Sequence, residues 1–294
     1  MRPSPGARVV TIHALVAAAR QRLRHAGIPV TEADFDARVL AERLLGWDAT
    51  RYLTHADEPP PAGFADRYDA LIDRRAGREP VAYISGVQEF WGLSFVVSPA
   101  VLIPRPETEL IVEVFLERCP ERDAPVRVAD VCTGSGCLAV AVASERPHAE
   151  VVAVDISSEA LAIARRNAER HGVARQIEWR RTDVLQHVPG PFDVIVSNPP
   201  YVSSTDVTTL QPEVIEHEPR LALVAGSDGL SVVRRLLVQA STRLRVSGSV
   251  IFEFGFGQAK AIERLVGQTA GLTLVETRRD LQGIPRTAVV ERTN

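Results

Sequence analysis

Apolar residues recur at helical spacing through the first 80 residues. Leu15, Val16, Ala19 and Leu23 share one face, and Phe35, Val39, Leu40 and Leu44 share another after an expected cap at Thr31. Pro59, Pro60 and Pro61 interrupt this pattern; Phe64, Tyr68, Leu71 and Ile72 then line a further amphipathic stretch ending near Gly77. Residues 1–80 are therefore predicted to form a small helical domain. Between Val81 and Pro104 the chain turns aromatic and β-branched, with glycine and proline punctuation, which predicts a β-hairpin linker over 81–104. From Val126 onward the strand-like runs VRVADV, EVVAVD, QIEWR, FDVIVSN and SVIFEF alternate with helices such as 158–171 and 229–245. That alternation predicts a doubly wound, Rossmann-like α/β sheet in a domain spanning 105–294. The last two runs, LTLVE and RTAVVE, are joined by a short glycine-proline loop and are expected to pair as an antiparallel edge.

Composition narrows the picture. The 294 residues are 45% hydrophobic and 24% charged, enough for a sizeable core and two domains. Cys119, Cys132 and Cys137 are too few and too unevenly placed for a disulfide framework or a zinc site, so no metal is expected and a reducing cytoplasm is the expected compartment. The start, MRPSPGARVV, lacks the apolar core of a signal peptide, and no segment has the length of a membrane span. A net charge of −3, with unclustered arginines and Lys260 as the only lysine, argues against direct nucleic-acid binding through a cationic face. A protein partner or a small substrate fits better.

Two loops carry the candidate chemistry. After the first strand comes Asp130-Val131-Cys132-Thr133-Gly134-Ser135-Gly136-Cys137, a glycine-rich turn that opens a helix and lets the backbone approach a ligand. About 20 residues later the second strand ends at Asp155, where a carboxylate can accept from two ribose hydroxyls. Asp183, after the third strand, is placed to accept from an adenine amino group. This much describes a nucleoside crevice that also satisfies a dinucleotide fingerprint, so a nicotinamide enzyme stays open at this point.

The second loop, Asn198-Pro199-Pro200-Tyr201, directly follows FDVIVS at the carboxyl edge of the sheet. Consecutive prolines fix φ, remove N–H donors and leave a rigid turn that presents carbonyl oxygens. Those acceptors and the Asn198 side-chain oxygen can hold an NH₂ group. A planar amide or amine nitrogen is thereby oriented toward an electrophilic methyl, with Tyr201 offering a flat face. The tetrapeptide signals an amino- or amide-nitrogen methyltransferase.

Over nearly its whole length the chain resembles the peptide chain release factor N5-glutamine methyltransferases. The match is strongest at GVQEFWGLSFVVSPAVLIPRPETE, residues 86–109, and recurs at DLQGIPRTAVVE, residues 280–291. The resemblance implies a class I methyltransferase sheet preceded by a helical domain that helps recognise the release factor. It implies that Cys132, Thr133, Gly134, Ser135, Gly136, Asp155, Asp183, Val184 and Asn198 contact S-adenosylmethionine, while Asn198, Pro199, Pro200 and Tyr201 grip the glutamine of a Gly-Gly-Gln tripeptide. Some members carry glycine at the position of Cys132 and a bulky aromatic at that of Val184.

Rival classes make different demands. A DNA adenine methyltransferase shares the Asn-Pro-Pro-Tyr logic but needs a basic target-recognition region, which is not found here. A nicotinamide oxidoreductase leaves the proline loop unexplained, and a noncatalytic binding module predicts decay of motifs that are intact. Methylation of a ribosomal-protein glutamine is the nearest alternative, and LIPRPETE counts against it. Arg105 and Glu107 are expected to pair or to cap a helix, Glu253 to face the carboxyl edge, and His217 to belong to a loop covering the cleft.

Overall fold

The computed structural model describes residues 10–293, which divide into two compact units meeting at Gly86 and Val87. The first contains helices Ile12–His25, Val30–Leu45, Ala49–His55, Phe64–Ala76 and Val81–Ser85. Its core includes Ile12, Val16, Leu23, Leu40, Phe64, Tyr68 and Ile72, all buried. Thr11 caps the first helix by accepting from the Ala14 amide at 3.1 Å.

Two expectations for the second helix need correction. It begins at Val30 behind Pro29, whose extended backbone already sets the chain's entry, so Thr31 lies inside the first turn and is not the cap. Its buried stripe is Ala33, Asp36, Ala37, Leu40 and Ala41, whereas Phe35 is 55% exposed. Small residues allow close helix approach, and Asp36 is neutralised by Arg75 at 2.6 Å, so size and charge pairing override the large-apolar pattern.

The linker expected over 81–104 is also shorter than its pattern implied. Val81–Ser85 is helical and belongs to the first unit; Gly86, at φ 74°, ends it. The hairpin proper is β1 (Val87–Phe90) and β2 (Leu93–Val96), turned by Trp91 and Gly92 at φ 53° and 66°. Trp91 holds that rare conformation because its amide donates to Glu109 and its indole nitrogen to Glu145.

The rest of the second unit is a seven-stranded sheet. Its strands are β3 (Val126–Val131), β4 (Ala149–Asp155), β5 (Ile177–Arg181), β6 (Phe192–Ser197), β7 (Leu244–Glu253), β8 (Leu272–Arg279) and β9 (Pro285–Arg292), in the spatial order β5-β4-β3-β6-β7-β9-β8. The first five are parallel, and β9 runs antiparallel between β7 and β8, as the pairing of the last two runs predicts. Alternate residues feed two cores. Val128, Val151 and Ile251 pack with helices Glu109–Arg118 and Cys137–Glu145, and Ala129, Val152 and Phe252 with helices Ser231–Arg243 and Ala259–Gly267. Connections leave β3 toward β4 on one side and reach β6 on the other, so the strand order reverses beside β3 and a crevice opens at the carboxyl ends. No helix among the described residues is long and apolar enough to cross a membrane.

Candidate active site

A cavity of about 250 Å³ occupies that crevice. It gathers Cys132, Thr133, Gly134 and Ser135 after β3, Asp155 at the end of β4, Asp183 and Val184 after β5, and Asn198 and Pro200 after β6. Gly136, Pro199 and Tyr201 do not border it.

The cofactor loop is held by its own neighbours. Cys132 and Gly136 have φ of 61° and 81°. A Cβ on Gly136 would lie 3.0 Å from that of Ala164, so this glycine lets helix Ser158–Arg170 approach the turn. One Asp155 oxygen accepts from the Gly134 amide and the other from the Ser157 amide, each at 2.9 Å. Burial pushes the Asp155 carboxyl up, and these amides pull it back toward ionisation. Each oxygen keeps a lone pair for a further donor. Behind the loop, Oδ2 of buried Asp130 accepts from the Thr133 hydroxyl at 2.5 Å and the Ala139 amide at 3.0 Å.

Cys132 and Val184 share a backbone peculiarity. Both have positive φ, 61° and 54°, a region costing a non-glycine residue about 1–2 kcal/mol and especially disfavouring β-branched valine. Around the same cavity, Ile156, Val184 and Leu221 supply apolar walls, and Asp183, whose carboxylate meets Arg235 at 3.3 Å, stands on the rim. Apolar walls for a purine and carboxylates for hydroxyl and amino donors fit an adenosine-bearing cofactor.

The acceptor loop is held from afar. Asn198 Nδ2 donates to Thr108 Oγ1 at 2.9 Å, Thr108 donates to Glu253 at 2.7 Å, and Tyr201 donates its hydroxyl to the other Glu253 oxygen at 2.9 Å. Among the described residues, neither Asn198 Oδ1 nor the Pro199 carbonyl has a hydrogen-bond partner. The Tyr201 carbonyl, by contrast, is taken by Gln258 Nε2 at 2.9 Å under Gly229, where an added Cβ would lie 2.2 Å from that oxygen. Tyr201 is thus anchored by its hydroxyl and backbone, with Gly255 against its ring.

Arg105 pairs with Glu218, which also accepts from the Ile103 amide at 3.2 Å. This joins segment 100–108 to the stretch containing Pro219, Leu221 and Ala222, and both border the cavity. His217, expected in a loop, instead ends the short helix Pro212–His217 just before that stretch. Sequence reasoning missed Thr108, Gln258, Gly229 and the bracing role of Asp130. Asp130 carried a signal, as a charge inside a strand otherwise rich in valine, and Thr108 lay within the LIPRPETE stretch without its role being visible.

Strand order and loop chemistry together define a class I methyltransferase, whose methyl donor is S-adenosylmethionine. Residues 106–235 match the family model described as "Methyltransferase small domain", and residues 14–86 match "PrmC N-terminal domain". The chain is 43% identical to the release factor glutamine methyltransferase of Bradyrhizobium diazoefficiens, covering 90% of this chain and 89% of that one. It is 44% identical to the enzyme of the same name from Geobacter sulfurreducens, over 87% and 89% of the two. The chain belongs to the release factor glutamine methyltransferase family. In fold it is also similar to the hMettl16 catalytic domain solved with a MAT2A 3'UTR hairpin, with a TM-score of 0.56, 17% identity, and 84% and 96% of the two chains covered.

Proposed function

We propose that this protein methylates the side-chain amide nitrogen of the glutamine in the Gly-Gly-Gln tripeptide of peptide chain release factors, acting in the cytoplasm. The observation carrying this reading is the Asn198 amide, whose N–H₂ end is engaged by Thr108 and whose oxygen has no partner among the described residues. S-adenosylmethionine, when bound, supplies a methyl group on a positively charged sulfonium. Asp155 and Asp183 would hold its ribose hydroxyls and adenine amino group, and Cys132 through Ser135 would bring backbone close to it.

The remaining chemistry falls to the acceptor loop. An amide nitrogen is a weak nucleophile because its lone pair is delocalised. Asn198 Oδ1 and the Pro199 carbonyl would accept its two N–H bonds and point the lone pair at the cavity. As positive charge grows on nitrogen, both acceptors strengthen their hold, which lowers the barrier more than it tightens substrate binding. The proton departs after transfer, so no strong base is required. The helical unit is the part we assign to recognising the release factor, with neither nucleic acid nor membrane as a partner.

The test incubates the protein with labelled S-adenosylmethionine and unmodified release factor, then locates the label by peptide mass spectrometry. One methyl on the tripeptide glutamine is expected. Label on ribosomal protein or DNA, and none on that glutamine, overturns the substrate.

A further inference from the structure

Glu253 has no part in holding either the donor or the acceptor, yet it sits under both ends of the acceptor loop. It is 2% exposed at the end of β7, accepting from Thr108 through one oxygen and from Tyr201 through the other. Proton counting gives this arrangement a direction. The Thr108 hydroxyl has one proton, which goes to Glu253, so the lone pair facing Asn198 can only accept. Asn198 must then turn its NH₂ toward Thr108 and its oxygen away. Amide orientation follows from the hydrogen-bond partners, and here the partner that decides lies two bonds away.

We propose that Glu253, acting through Thr108, sets which end of the Asn198 amide faces the acceptor, and is thus a positioning residue for transfer. This rests on the glutamine-methylation reading. With a proton on the Glu253 oxygen facing Thr108, the direction reverses. Glu253 donates, the Thr108 hydroxyl proton swings to Asn198, and the amide turns its NH₂ toward the substrate NH₂. Donor then meets donor and the grip fails. Burial raises the Glu253 carboxyl above its ordinary range, with Glu107 acting in the same sense; Thr108, Tyr201 and Arg286 oppose it. The ionised, active arrangement therefore fails on the acid side, at a pH above that of an exposed glutamate.

Single-turnover transfer to the tripeptide glutamine at saturating S-adenosylmethionine, from pH 5.5 to 8.5, tests this on wild type, Thr108→Val, Thr108→Ser and Glu253→Gln. Wild type should show an acid limb. Thr108→Val and Glu253→Gln should each lose at least ~10-fold in rate and lose the limb, and Thr108→Ser should restore both rate and limb to within about threefold. Cofactor Kd, by calorimetry, should stay within about threefold throughout. A merely structural role would not move the limb. Thr108→Val with wild-type rate and limb, or losses that track cofactor Kd, overturns the inference, and the two Thr108 variants decide it even if Glu253→Gln fails to fold. Wild type that binds cofactor but methylates no glutamine brings down the functional reading, and this inference with it; active wild type with an insensitive Thr108→Val brings down the inference alone.

Discussion

The cofactor loop and the acceptor loop follow adjacent strands, β3 and β6, and border one cavity, but they are braced over very different chain distances. Asp130 reaches Thr133 and Ala139 three and nine residues away, and Asp155 reaches Gly134 across 21. Asn198 depends on Thr108, 90 residues distant, Thr108 on Glu253 at 145, and Tyr201 on Glu253 and Gln258 at 52 and 57. A locally braced loop is set once its strand and helix form. One braced from afar is correct only when segments 100–108, 198–201 and 253–258 have all come together, so distant substitutions should reach it.

The sharpest way to break this contrast is at Asn198. Asn198→Ala removes the acceptor while leaving the cofactor loop intact, and should lower transfer on the order of a thousandfold with cofactor binding changed only modestly. Rate measurement with parallel calorimetry checks it. A comparable loss of cofactor affinity would mean the two loops are not separable. Next in size is a pair of glycine changes. Gly229→Ala puts a Cβ 2.2 Å from the Tyr201 carbonyl and displaces the acceptor loop, costing roughly 10- to 100-fold in rate. Gly136→Ala meets Ala164 at 3.0 Å and takes an unfavourable φ of 81°, which should appear as about tenfold weaker cofactor binding. Exchanged phenotypes, with Gly229→Ala weakening the cofactor and Gly136→Ala sparing it, would reverse the assignment of the two loops.

The same contrast explains what the sequence disclosed. Of the five strand-like runs after Val126, those that became β3, β4, β6 and β7 lie inside the sheet, where strands buried on both faces read as largely apolar segments, while β5, at the sheet edge, shows only Ile177 and Trp179 as its apolar positions. The glycine turn, Asp155, Asp183 and Asn198 were legible because each sits at a strand end, where position alone puts it on the cavity. The roles of Thr108, Gln258 and Gly229 were not: Thr108 sits in the LIPRPETE stretch, but its contact, like those of Gln258 and Gly229, is with a partner far along the chain. Residue type presents Tyr201 only as a flat surface, whereas its hydroxyl is held by Glu253. Phe35 and Thr31 point elsewhere for a related reason: large apolar residues and cap preferences suggest one helix face and start, while alanines and the Arg75–Asp36 pair decide the packing.

The smallest predicted effect probes whether the cofactor loop is as self-contained as the short chain separations of its braces imply. Asp130 is fully buried; burial, aided by Asp155, pushes its carboxyl up to about 7 against the pull of Thr133 and Ala139, and Oδ1 has no partner among the described residues. The folded pKa exceeds the unfolded value, so the folded protein binds the proton more readily. The stability this provides is complete below the ordinary carboxylate range and is lost as pH rises through about 7. Asp130→Asn cannot titrate. Melting temperatures of the two proteins from pH 8 to 6 should therefore diverge in one direction, with wild type gaining about 1 kcal/mol on the variant, a few degrees. The absolute difference also includes the new amide's unmet hydrogen bonds, but its slope with pH does not. A flat difference would mean that Asp130 stays ionised at both ends of this range. A charge buried that deeply needs more than Thr133 and Ala139 to hold it, and the cofactor loop would then, like its neighbour, depend on residues beyond its own turn.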